Sequence, residues 1–145
     1  MPWPTLLQLN LALAAYLTGL VWTVQIVVYP ALALVGRTEF GRYHRAHTRG
    51  MGLVVGAPMV LELGLAAWLA WAGLRAAPAL ALTQLALVGL IWAVTFFISV
   101  PFHNRLERQG YDYVALDGLT RTNWLRTLAW TARLVVLWGM SNGCN

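Results

Sequence analysis

Four apolar runs, at residues 6–28, 52–74, 79–100 and 119–140, constrain this chain more than any other feature. Each is close to the ~20 residues a helix needs to cross a bilayer. Lipid offers no partner to a backbone N–H or C=O, so each run must satisfy its own groups as a helix. The expectation is an all-α fold: a four-transmembrane-helix bundle forming one integral membrane domain over residues 1–145. Composition agrees, because only 10% of residues are charged, against about 25% in soluble domains. The opening stretch "MPWPTLLQLN" has no basic segment ahead of its apolar run, so that run is read as a span and not as a cleaved signal. A single cysteine, Cys144, excludes an internal disulfide and Cys-x-x-Cys redox chemistry.

The net charge of +5 comes from ten arginines and no lysine. It is no nucleic-acid footprint, because its distribution follows the spans. The first and third connections carry Arg37, Arg42, Arg45, Arg49, Arg105 and Arg108, and the connection on the opposite side carries only Arg75. The positive-inside rule then puts both large connections in the cytoplasm and both termini outside. The first connection, "GRTEFGRYHRAHTRG", reads as a short amphipathic cytoplasmic helix capped by Thr38, with Phe40, Tyr43 and His47 on one stripe. Residues 101–118 read as a loop with a turn of helix, and Asp117 as a cap for the last span.

Polar side chains in spans turn inward, and helical periodicity shows which share a face. The first span aligns Thr18, Trp22, Gln25 and Tyr29, and the second Val55, Pro58, Met59 and Glu62. The third aligns Trp92, Thr95, Ser99 and His103, and the fourth Asn123, Arg126, Trp130 and Arg133. Glu62 is the anomaly, since a carboxylate in mid-span needs an opposite charge or a metal. Its depth matches the level of Arg126 to Trp130, making Arg126 the first choice of partner and Arg133 the second. Either the pair fixes helix packing, or Glu62 serves substrate, proton or metal.

His44, His47 and His103 gather at the cytoplasmic rim. Three imidazoles suit Zn, Fe or Cu. Glu62 becomes a fourth ligand only if the chain breaks near residues 50–52, since on an unbroken helix His44 and Glu62 stand about 27 Å apart. Inward Trp22, Gln25, Trp92, Trp130 and Arg133 are the candidate lining for a flat hydrophobic ligand. Flavin and nicotinamide fingerprints are missing from the sequence.

Two stretches, "VPFHNRL" and "TNWLRTLAWTAR", together resemble the anthrone-oxygenase-like family of small four-span membrane proteins. The resemblance implies that Asn104, Asn123 and Arg126 belong to the site, and that the chemistry is oxidation of an aromatic substrate. The resulting expectation is a membrane-embedded, oxygenase-like oxidoreductase acting on a hydrophobic aromatic molecule. Arg126 and Asn123 then stabilise a phenolate-like oxyanion, Glu62 or His103 moves the proton, and a transition metal, if bound, activates dioxygen. The alternative is a non-enzymatic ligand-binding or accessory subunit. It would pack, as a homo-oligomer or against a membrane-complex partner, through the small residues Gly64, Ala67 and Ala70.

Overall fold

The computed structural model describes residues 2–75 and 77–142; Cys144 lies outside them. Four long helices account for nearly all of this, and no strand occurs among the described residues. They are α1 (Trp3–Leu32), α2 (Arg37–Gly73), α3 (Pro78–Gln109) and α4 (Tyr113–Asn142). Short connections make sequence neighbours antiparallel. α2 packs on α1 and α3, α3 packs on α4, and α4 closes the ring on α1.

Local chemistry sets the helix ends. Pro4 and Pro78 sit in first turns, where a missing N–H costs nothing. Gly110, the one described residue at positive φ (76°), ends α3. Asp112 then starts α4, its carboxylate accepting the N–H groups of Val114 (3.0 Å) and Ala115 (3.2 Å) and pairing with Arg105. Close approach of α3 and α4 requires Gly118, where a Cβ would lie 2.6 Å from the Phe102 ring.

Three other prolines act inside helices. Each lies two residues beyond a π-helical turn: Val24–Val28 before Pro30, Gly52–Gly56 before Pro58, Thr95–Ser99 before Pro101. A proline ring clashes with the carbonyl four residues back and has no N–H to give it. Widening the preceding turn relieves the clash and lets the helix continue. In α2 the orphaned carbonyl, that of Val54, accepts the Tyr16 hydroxyl from α1 at 3.0 Å.

Three apolar tiers fill the bundle. Leu6, Leu7, Leu69 and Leu137 pack at the end where α1 begins and α4 finishes. Leu17, Met59, Ile91 and Trp130 pack at the middle, and Leu32, Phe40, Leu106 and Leu119 at the arginine-rich end. The outer faces present Leu53, Trp71, Phe97 and Val135. α1, α2 and α3 are long and apolar enough to cross a membrane. α4 is not among them; it carries Asn123, Arg126, Thr127 and Arg133, all buried within the bundle.

Several sequence expectations change. The amphipathic helix is not a separate element: Arg37–Met51 runs through the π turn into the apolar part of α2 without a break. The chain does not break near residues 50–52; the widened turn at Gly52–Gly56 keeps the helix continuous. That helix starts at Gly36 with no side-chain cap, so Thr38 is not one. Its inward stripe is Phe40, His44 and His47, while Tyr43 is exposed. Residues 101–109 are helical, and Asp117 pairs with Arg121 inside α4 while Asp112 does the capping. Ala70 is buried in the bundle, so the small-residue face reduces to Gly64 and Ala67.

Backbone N–H donation from Ala115, then Arg105, holds the Asp112 carboxyl below its ordinary range. A depressed carboxyl stabilises the fold above the unfolded-state pKa and loses that contribution as pH falls through the folded-state value. Asp112→Asn is therefore expected to melt below wild type at neutral pH. Thermal unfolding in detergent at successively lower pH should show the gap closing as the wild-type carboxyl protonates.

Candidate functional site

Glu62 is paired with Arg133. The two face each other diagonally across the bundle, Arg133 Nη1 donating to Glu62 Oε1 at 2.9 Å, both side chains fully buried. Trp130 Nε1 donates to the same carboxylate at 3.1 Å. Arg133 Nη2 donates to Asn10 Oδ1 (2.8 Å) and Gln84 Oε1 (3.4 Å). The two amides then donate onward to backbone carbonyls of α2, Asn10 to Leu65 (3.2 Å) and Gln84 to Ala66 (2.9 Å). Each helix thus contributes at least one polar side chain to a single knot.

Trp130 touches Glu62, at the level its depth predicts, but the arginine that answers it is Arg133 and not Arg126. Helix side chains lean toward the N-terminus. The long Arg133 side chain therefore brings its head group back to the level of Trp130, and Arg126 is carried a turn further toward the arginine-rich end.

There Arg126 meets a cavity of about 250 Å³. Its walls are mostly apolar: Leu17, Val21 and Val24 from α1, Val55 and Met59 from α2, Val100 from α3. All three π turns contribute residues to the lining. The polar lining includes Tyr29, His47, Ser99, His103 and Arg126, with Trp130 beside them. Arg126 is 8% exposed, and none of the ion pairs among the described residues includes it. Its guanidinium lies 5.1 Å from the Trp130 ring centroid, and its Nε has no hydrogen-bond partner. Nη1 donates to Asn123 Oδ1 (3.3 Å), Asn123 donates to Gln25 Oε1 (2.9 Å), and Gln25 donates to the Thr120 carbonyl (3.1 Å). That chain fixes Arg126 from behind.

The three histidines draw together beside the cavity. His44 Nε2 and His103 Nδ1 are 3.1 Å apart, and His103 Nε2 is 3.5 Å from the Tyr29 hydroxyl. Ring centroids are separated by 5.3 Å (His44–His103), 6.1 Å (His47–His103) and 6.4 Å (His44–His47). No set of three or more His, Cys, Asp or Glu side chains among the described residues stands ready-made around a metal position. Glu62 is not part of the cluster. With α2 unbroken, 18 residues separate it from His44, roughly 27 Å at the helical rise, and its oxygens are taken by Arg133 and Trp130.

Of the residues expected at the site, His47, His103, Arg126 and Trp130 line the cavity; Asn123 and Gln25 stand behind Arg126. His44 packs behind His103, stacked on Phe40. Glu62 and Arg133 belong to the knot. Trp92 packs on the middle tier away from the cavity wall. Trp22 is 37% exposed, donating to Thr131 and meeting Trp124 edge-on. Asn104 is exposed, because helix α3 continues past Pro101 and turns that position outward. Tyr29, Asn10 and Gln84 were not singled out as site residues. The rule that flagged Glu62, a polar residue inside an apolar run, applies equally to Asn10 and Gln84.

No family model matches the chain, and no curated protein or solved structure does either.

Removing one partner from a buried ion pair costs about 3–5 kcal/mol, while an apolar replacement of both is far milder. Arg133→Met alone is thus expected to destabilise strongly, and Glu62→Leu combined with Arg133→Met to recover much of the loss. Thermal melts of the two variants in one detergent check this.

Proposed function

We propose that this chain is a four-span integral membrane protein with an intrabundle pocket that binds and oxidises a small hydrophobic aromatic molecule. Its arginine-rich connections face the cytoplasm and its termini face outside. The observation that carries the reading is Arg126: a buried guanidinium without a carboxylate, on the wall of an otherwise apolar cavity. An uncompensated cation in low dielectric is costly, and an anionic ligand oxygen relieves it. A cavity of about 250 Å³ lies just below the usual ligand-pocket range of about 300–1,000 Å³, which suits a few fused rings.

The resemblance to the anthrone-oxygenase-like family supplies the reaction class. A methylene carbon held between two aromatic rings reacts with one dioxygen molecule to give the diaryl ketone and one water. One oxygen atom enters the carbonyl, and the other leaves with the two methylene hydrogens. Arg126 holds the phenolate-like oxygen that develops as the methylene loses a proton. Asn123 and Gln25 keep Arg126 in place, Trp130 packs against the rings, and His47 and His103 face the substrate on the same cavity wall as Tyr29. A second reading, a non-enzymatic ligand-binding or accessory subunit, is favoured by one observation: the knot engages Glu62 fully and leaves it no part in turnover.

Anthrone is the probe. Tag-free protein in nanodiscs is expected to bind it, read by tryptophan fluorescence, and to consume one dioxygen per anthraquinone formed. Arg126→Met is expected to weaken binding at least about tenfold, the 1.4 kcal/mol of one modest charged hydrogen bond. Binding without oxygen uptake selects the accessory reading, and wild-type affinity in Arg126→Met removes both. Cys144, the only thiol, tests orientation: a membrane-impermeant maleimide should label it from outside intact cells.

A further inference from the structure

We infer that His44, His47 and His103 bind a single transition-metal ion of the kind imidazole prefers, Zn, Cu or Fe, with its open coordination position facing the cavity. Two helices supply the ligands. His44 and His47 are one turn apart on α2, and His103 crosses from α3. The nitrogens of two imidazoles sharing a tetrahedral ion lie about 3.3 Å apart, and their ring centres about 5 Å apart. His44 Nε2 and His103 Nδ1 already stand at 3.1 Å, with centroids at 5.3 Å. His47, at 6.1 and 6.4 Å from the other two rings, needs to move inward by about 1 Å. It is only half-buried and lines the cavity, so its ring has room to turn. That displacement separates the present arrangement from a closed ligand set.

Hydrogen bonding alone does not account for the cluster. His44 is completely buried, stacked on Phe40 at 5.6 Å, and its Nδ1 has no partner. Only one contact within hydrogen-bond distance joins the three rings, that between His44 and His103. His47 makes none with the other two. That one contact leaves His47 outside it, whereas an ion shared by His44 Nε2, His103 Nδ1 and His47 engages all three imidazoles. Arg126 stands on the same cavity wall. Ion and guanidinium together call for an anionic oxygen as the next ligand, the substrate class proposed above. The role of the ion in oxidation rests on that functional reading; its binding does not.

The test uses metal alone. Chelator-treated, tag-free protein in detergent is titrated with Co2+ and with Cu2+. The chain contains no other histidine, so an imidazole signature has one source. The expected result is one ion per chain, visible Co(II) ligand-field bands of low-coordinate type, and nitrogen hyperfine splitting in the Cu(II) spectrum. His47→Gln and His103→Gln are each expected to weaken binding by more than about a hundredfold, since even loss of an outer partner costs ten- to a hundredfold. The half-buried His47 variant serves if the His103 variant does not fold. Absence of stoichiometric binding in folded wild type overturns the proposal, as does unchanged affinity in folded His47→Gln. Anthrone binding is measured separately on the metal-free protein, with Arg126→Met as control. Loss of the metal site with retained ligand binding overturns this inference alone, and the reverse result overturns only the aromatic-ligand reading.

Discussion

Everything in this bundle is arranged around the diagonal contact between Arg133 and Glu62. A guanidinium and a carboxylate, both without exposure, sit where four helices meet. Neither is tolerable alone in such surroundings. Asn10 and Gln84 both accept from Arg133 Nη2 and, by donating to carbonyls of α2, tie α1 and α3 to it as well. Tiers of leucine slide and rotate with little penalty, whereas this knot has one register. The packing that specifies the bundle is therefore polar, although apolar side chains fill most of its volume.

The knot also sets the floor of the cavity. Trp130 donates to Glu62 on one side and presents its ring to Arg126 on the other. Above that floor, Pro30, Pro58 and Pro101 each force a widened turn, in three different helices, and all three turns contribute to the cavity wall. A regular helix packs close to its neighbours; a widened one holds its backbone away and leaves carbonyls to be satisfied from outside, as Tyr16 satisfies Val54. One chemical device, repeated three times, opens space within the bundle.

Two kinds of polar group thus coexist at different heights. In the knot every charge has its opposite. At the cavity Arg126 has none, and the histidines next to it are only partly paired. The knot pairs charge with charge and fixes the packing, while at the cavity a guanidinium without a carboxylate faces open space. Sequence reading gave both arginines to one site because they share a helix face. Their separation of seven positions spans about 10 Å of helix, enough to place one at each level.

The sequence by itself determined four apolar helical runs, most of the inward polar positions and the anomaly at Glu62. All of these follow from local rules, hydropathy and the 3.6-residue period. It also marked Arg126 and Trp130 as inward at mid-depth and gathered His44, His47 and His103 at one rim. Tertiary structure alone decided that Arg133 and not Arg126 answers Glu62, that Asn104 and Trp22 turn away, and that Tyr29 joins the cavity. It decided, too, that the amphipathic segment stays fused to α2, which keeps Glu62 far from the histidines. The reason is physical: periodicity fixes the direction of a side chain on its own helix, but not the rotation and axial offset of one helix against another. Those depend on side-chain reach and on turns widened by proline, which come to light only when all four helices are packed together.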